Sequence, residues 1–270
     1  MTVKESWMLF VFILLSLPDD DLRELKIPAN AVEQGAAFRR WAFITTKKAY
    51  RVGSEIVGER LFYEDGKLAD ERLYRNKKLH GIWRQYHRNG RLFSERPYRD
   101  GQLDGTFRFW DENGKLLGES QINKGTGVLR EYKNDAVECF DKETPYVNGK
   151  VHGFTRLWGK FNGCRGIGSN VSFYKEGVMD GYSYFYDEDG TVLGWAYVWA
   201  GKLHGFAQHT DRNGKSLDGY PLYRINGEQV TEAEFRKAAT SDKLLQETLT
   251  HQPPKLEEFA RPDAAKGPKP

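Results

Sequence analysis

Cysteine is scarce: Cys139 and Cys164 are the only two in 270 residues. That excludes a disulfide framework as the source of stability. Neither sign of charge dominates, with 41 basic against 38 acidic residues and a net charge of +3. Such a balance gives no reason to expect nucleic acid as a partner. Hydrophobic residues make up a modest 39%, too few for a bundle rich in Leu and Ala, whereas 14% aromatics and 28 glycines suit short strands joined by tight turns. The apolar run SWMLFVFILLSL, residues 6–17, is shorter than the roughly 20 residues of a membrane span but long enough for the core of a signal peptide. Pro18 and the acidic Asp19, Asp20 and Asp21 follow it, and the small-residue triplet Ala29-Asn30-Ala31 lies too far downstream for a normal cleavage site. Export, membrane tethering, and a cytoplasmic chain with a buried apolar cap all stay open.

Catalytic signatures are missing as well. There is no nucleophile elbow, dinucleotide fingerprint or metal-ligand cluster. Gly163, Gly166 and Gly168 crowd together, but no helix signal follows them, so they read as a bulge or a longer loop rather than a phosphate cradle. The carboxylates recur with the turns and pairs described below, and nothing selects two of them as a catalytic dyad. The sequence therefore points to no enzyme and to no cofactor.

What is present is a repeat. Gly58, Gly81, Gly105, Gly127, Gly153, Gly181 and Gly205 each open a block of 22–28 residues. Five positions later stand Tyr63, Tyr86, Trp110, Tyr132, Trp158 and Tyr186; only the last block departs, with Thr210. An Asp-Gly or Asn-Gly pair follows the aromatic at Asp65-Gly66, Asn89-Gly90, Asn113-Gly114, Asn162-Gly163, Asp189-Gly190 and Asn213-Gly214, whereas the fourth block has Asn134-Asp135. Between aromatic or β-branched runs these pairs predict β-hairpins with type I′ turns. A second turn, at Asp100-Gly101, Asn148-Gly149 and Ala200-Gly201, hands the chain to the next hairpin. One hairpin is marginal alone, but hairpins stacked side by side share a sheet.

Counting outward from three of these turns sets Arg60 against Glu71, Arg84 against Glu95 and Arg108 against Glu119. Such pairs contribute only about 0.2–1 kcal/mol each and act on register more than on stability. His80, His152 and His204 precede the block glycine, where sister repeats carry Asp104 and Asp180, so they read as turn residues that hydrogen-bond local backbone. Each repeat adds about 10 Å of sheet, which keeps His80 and His152 about 30 Å apart and unable to share a metal. The same spacing places Cys139 and Cys164 about 10 Å apart, beyond disulfide reach, and predicts free thiols.

The expected architecture is mostly β: a single elongated antiparallel sheet of stacked hairpins over residues 55–228. Residues 1–18 form an apolar segment and residues 19–54 an N-terminal cap. After the repeats, Thr231 and Glu234 make a capping box and Val230 and Phe235 a hydrophobic staple, which predicts a C-terminal helical cap over 229–250, of one helix or two. The Pro- and charge-rich residues 251–270 read as a disordered tail. Arg84, Arg108, Arg130 and Arg156 hold one position in four consecutive repeats. Either they simply pair with facing carboxylates, or, together with Trp83, Phe107, Trp110 and Trp158, they form a stripe that docks a protein.

The motifs NGKVHG (148–153), DGQLDG (100–105) and GTFRFWDENGKLL (105–117) resemble the variant MORN repeat of bacterial proteins, including those of the YwqK antitoxin type. The resemblance covers residues 55–228. It implies a stacked-hairpin sheet acting as a scaffold for protein–protein interaction, without catalytic residues; the antitoxin type would add a cognate toxin as partner. A membrane-associated module is the other reading it leaves open.

Overall fold

A computed structural model describes residues 21–37, 44–132, 140–158, 169–187 and 189–255. The apolar run at 6–17, the Asn134-Asp135 and Asn162-Gly163 turns, the glycine-rich loop, both cysteines and residues 256–270 lie outside the described residues. The chain divides into two units, Met1–Gly114 and Lys115–Pro270.

In the first unit the strands Val32–Ala37, Ile44–Val52, Glu55–Tyr63, Leu68–Arg75, Gly81–Tyr86, Leu92–Arg99 and Gly105–Trp110 pair antiparallel in chain order. The second unit repeats the arrangement from Leu116–Asn123 through Thr126–Tyr132, Phe140–Val147, Gly153–Trp158, Ser169–Lys175, Val178–Tyr186, Val192–Trp199 and Gly205–His209 to Leu222–Ile225. Each unit is thus an open antiparallel sheet of hairpins, as expected. Strands Val32–Ala37 and Ile44–Val52 already lie N-terminal to the first block.

The turn chemistry differs from the expectation in an instructive way. At Asp65-Gly66, Asn89-Gly90 and Asn113-Gly114 only the glycine has positive φ, at 81°, 87° and 88°, so these are not type I′ turns. Tyr63 and His87 instead close three-residue loops: the Gly66 and Gly90 amides donate to their carbonyls, and their own amides donate to the carbonyls of Lys67 and Arg91. A bulge follows, between Leu61 and Phe62 in one hairpin and Gln85 and Tyr86 in the next. The loop shifts the register by one residue and the bulge shifts it back. Arg60 therefore does face Glu71, and Arg84 does face Glu95.

The type I′ geometry sits at the other connection. Asp100-Gly101, Asn148-Gly149, Ala200-Gly201 and Asn226-Gly227 all have both residues at positive φ. Asn76-Lys77 is built the same way, with φ of 50° and 63°, but carries lysine where the sister turns carry glycine. A side chain in the left-handed region costs about 1 kcal/mol. Lys77→Gly should therefore stabilise the first unit by about 0.5–1 kcal/mol, seen as a raised urea midpoint at unchanged m-value; a lower midpoint would refute the turn assignment.

These turns lock successive repeats together. His80 Nδ1 accepts the Asp100 backbone N–H at 3.2 Å, and His204 Nδ1 accepts that of Asn226 at 3.1 Å. At the same position Thr126 Oγ1 accepts from Asn148 N at 3.1 Å and Asp180 Oδ1 from Ala200 N at 3.4 Å. The partner is the backbone of the following repeat, not local backbone as the sequence suggested. The next residue in each turn adds a second bond, as in Gly101 N to Leu79 O at 2.7 Å and Gly227 N to Leu203 O at 2.8 Å.

Both units have one sheet face partly covered. In the first, Leu25 and Ile27 lie over the block glycines: a Cβ on Gly58 would stand 2.6 Å from Ile27 Cγ1, and one on Gly81 would stand 3.6 Å from Leu25 Cβ. In the second, helices α1 (Glu232–Ala239) and α2 (Lys243–Thr250) do the covering. Thr231 and Glu234 form the expected capping box, and Asp242 caps α2 through Leu244 N and Leu245 N. Phe235, Ala239 and Leu245 pack against Phe206, Tyr223, Ile225 and Val230.

Candidate interaction surface

Side chains alternate across a strand, so neighbouring Trp83 and Arg84 belong to opposite faces, and their partners agree. Arg84 Nε donates to Glu95 Oε1 at 3.1 Å, and its Nη1 lies 3.8 Å from Glu71 Oε1. Arg60 Nε donates to the other Glu71 oxygen at 2.7 Å. In the second unit Glu143, 5% exposed, takes Arg130 Nε at 3.1 Å on one oxygen and Arg156 Nη1 on the other. The result is an alternating Arg–Glu ladder on one face of each unit. The third expected pair is divided between the units, with Arg108 in the first and Glu119 in the second.

The ladder stops at Arg156. Across the next strand pair it faces Val171, at the place where earlier repeats have a glutamate, and the buried Arg156 Nε has no hydrogen-bond partner. From there the face turns aromatic. Val171, Tyr184 and Tyr186 are buried together, with Tyr182, Val192 and Trp195 against them.

The opposite face of the first unit carries Trp83 between two guanidiniums, Arg72 at 4.5 Å and Arg96 at 5.2 Å from the ring centroid. Asp70 accepts from Trp83 Nε1 at 2.7 Å and pairs with Arg72 Nε at 2.9 Å; burial pushes its carboxyl pKa up against the pull of Arg72. Phe107, 0% exposed, continues this row through Tyr98 at 6.4 Å. The eight residues singled out by the sequence thus divide between faces. Arg84, Arg108, Trp110, Arg130 and Arg156 share the ladder side of their strands, and Trp83 and Phe107 lie on the other. Trp158 closes its strand, and its side chain lies outside the described set. Arg72 and Arg96 were missed, although the same outward count that pairs Arg84 with Glu95 also pairs Trp83 with Arg96.

The ladder face of each unit has one feature with the shape of a docking site. Beside Arg108 a cleft of about 320 Å³ opens between Asp21, Leu22, Arg23 and the sheet residues Ile82, Pro97, Arg99 and Thr106. In the second unit Val128 and Phe154 stay 41% and 37% exposed next to Arg130 and Arg156.

Residues 251–255, where the tail was expected to be disordered, lie on this face. The His251 ring stacks on Tyr182 at 3.6 Å between centroids, and its Nε2 lies 3.1 Å from Tyr184 Oη. Tyr186 Oη donates to Pro254 O at 2.9 Å. Burial lowers the His251 pKa below its ordinary 6.5. A base with a lowered folded pKa contributes stability that is complete above its unfolded value and lost as pH falls through the folded one. Protection across 251–255, taken relative to the intrinsic amide exchange rate at each pH, should therefore fall below about pH 6.5, and His251→Phe should remove that fall; protection that is flat from pH 7.5 to 5 would contradict the stacked geometry.

Among the described residues, no group of His, Cys, Asp or Glu side chains could hold a metal ion, and no helix is long and apolar enough to cross a membrane. Stacked hairpins with a recurrent charged face define a repeat protein built around surface rather than around a cavity. The comparison with known families agrees. Residues 59–76, 79–100 and 103–124, three consecutive repeats, match the MORN repeat variant. Repeats of this family commonly serve as scaffolds in contacts with proteins or membranes. The match extends to the repeat alone and carries neither a bacterial source nor an antitoxin assignment. No curated protein matches the chain.

Proposed function

We propose that the chain is a non-catalytic scaffold in which the ladder face of each unit binds a protein partner. The observation that carries this reading is the recurrence of Arg84, Arg108, Arg130 and Arg156 on one side of their strands, beside exposed Val128 and Phe154. Arginine and tryptophan dominate interface energetics because each combines a broad flat surface with directional donors. Trp110 belongs to the same stripe. Phe107 has no surface to offer and serves the packing of the opposite face.

The test is affinity purification of the full chain from separated soluble and membrane fractions, followed by mass spectrometry. Arg108→Ala and Phe154→Ala should each reduce recovery of one reproducible protein, with Arg72→Ala on the opposite face as control. A partner lost with the Arg72 variant alone would sink the proposal. A partner toxic when expressed without this chain would narrow it to an antitoxin role. Retention by anionic vesicles, released by salt, would replace it with lipid binding.

A further inference from the structure

The block that opens at Gly181 changes the chemistry of the ladder position. Arg84, Arg108, Arg130 and Arg156 each stand three residues after a block glycine, and Tyr184 holds that place after Gly181. Strand Val178–Tyr186 sends alternate side chains to one face, so Tyr182, Tyr184 and Tyr186 form a row there. Successive ring centroids in the row lie 5.8 Å and 6.2 Å apart. Each ring offers a broad apolar surface with a hydroxyl donor at its tip.

The segment His-Gln-Pro-Pro-Lys, residues 251–255, crosses this row and is neither helix nor strand. His251 has φ −60° and ψ 133°, close to the polyproline II values of about −75° and +145°. Gln252 and Pro253 each precede a proline, which holds them extended, and the proline rings fix φ near about −65°. A polyproline II helix has about three residues per turn, so positions 251 and 254 share one side. Those two positions touch the row. The His251 ring stacks on Tyr182 and its Nε2 meets Tyr184 Oη, and the Pro254 carbonyl accepts from Tyr186 Oη. Gln252 and Lys255, one turn apart on another side, are exposed.

What the row recognises in this segment is not peculiar to it. A flat ring on Tyr182 and a main-chain carbonyl at Tyr186 are features that any proline-rich stretch presents at the same period, with pyrrolidine faces in place of the imidazole. Aromatic-lined surfaces bind such stretches well because the ligand is already ordered before it docks. The occupant is also replaceable: residues 251–255 are not a strand of the sheet, so their departure breaks no strand pairing.

We propose that the tyrosine row of the second unit is a docking site for a proline-rich, polyproline II segment of a partner protein, and that residues 251–255 occupy it as an internal competitor. This rests on the partner reading for the ladder face of the second unit and deepens it by naming the chemistry recognised.

The test titrates the full chain into a fluorescein-labelled decaproline peptide and follows anisotropy, with a Gly-Ser peptide of equal length as control. The unmutated chain should bind decaproline weakly, since the internal segment must leave first and the apparent affinity falls with the fraction open. His251→Ala with Pro253→Gly and Pro254→Gly should tighten binding severalfold while α1 and α2 keep their amide protection. Adding Tyr184→Phe and Tyr186→Phe, which keep the rings and delete the donors, should remove that gain. The unmutated chain gives a second readout: saturating decaproline should move the His251 ring-proton resonances, shielded by Tyr182, toward those of a free histidine. Equal affinity with and without the segment substitutions, equal binding of the Gly-Ser peptide, a gain that survives loss of both hydroxyls, or unmoved His251 resonances would each overturn the proposal. So would a dimer in light scattering when the segment variant is mixed with the unmutated chain, because the occupant would then be a second copy. A partner still recovered in purification without any decaproline binding counts against this inference alone, and decaproline binding with no recovered partner counts against the wider reading alone.

Discussion

Glu143→Ala should destabilise the second unit by about 3 kcal/mol. The carboxylate is 5% exposed and is the shared acceptor of two guanidiniums, Arg130 at 3.1 Å and Arg156 on its other oxygen. Removing it leaves two cations side by side in a poorly hydrated position, one of them with an Nε already lacking a partner. Breaking a buried pair from one side costs about 3–5 kcal/mol. The lower end applies because the arginine side chains keep 28% and 20% of their surface, where water screens the repulsion. The comparison with Glu71→Ala is informative, since the Glu71 side chain is 14% exposed against 6% for Glu143 and its loss should be smaller. Urea unfolding of the two variants decides the matter, and equal losses, or one below about 1 kcal/mol for Glu143→Ala, would show that the ladder is a solvated ornament. The triple replacement Arg130→Met, Glu143→Leu, Arg156→Met should recover most of the stability, because ion pairs of this kind set register more than they add net energy.

That role explains why so much of the fold could be read from the residues. The period places the hairpins, and the Arg–Glu spacing places the register. Both survive an incorrect turn type, because a three-residue loop and a bulge shift the strands by equal and opposite amounts. The two-face division was equally legible, since Trp83 and Arg84 are neighbours and a strand sends neighbours to opposite sides. What the period could not reveal is contact between repeats through backbone. His80 and His204 are acceptors for amides 20 and 22 residues away; the hint was that His, Asp and Thr, all able to accept, interchange at that position. The path of residues 251–255 was hidden for a different reason. A proline-rich composition describes local preference, whereas the stacking of His251 on Tyr182 depends on where α2 releases the chain.

Phe235→Ala should cost about 3–5 kcal/mol, and the loss should be confined to one end of the second unit. Phe235 is 0% exposed, lies 5.4 Å from the Tyr223 ring and shares its cluster with Ala239 and Leu245. Each helix has only eight residues, well under the length at which a helix holds itself together in water, so both persist through packing alone. Emptying the Phe235 site removes the largest side chain common to α1, α2 and the sheet. Amide protection in α1 and α2 should fall together, and that of strand Leu222–Ile225, which the helices cover, should follow. Because residues 251–255 are anchored through α2, the stacking of His251 on Tyr182 should weaken as well, although His251 lies outside the Phe235 cluster. Strands Thr126–Tyr132 through Ser169–Lys175 should keep their protection, since their hydrogen bonds and ladder contacts do not pass through the cap. Uniform loss of protection throughout the second unit would instead make it a single cooperative body, and the cap an integral part of its core.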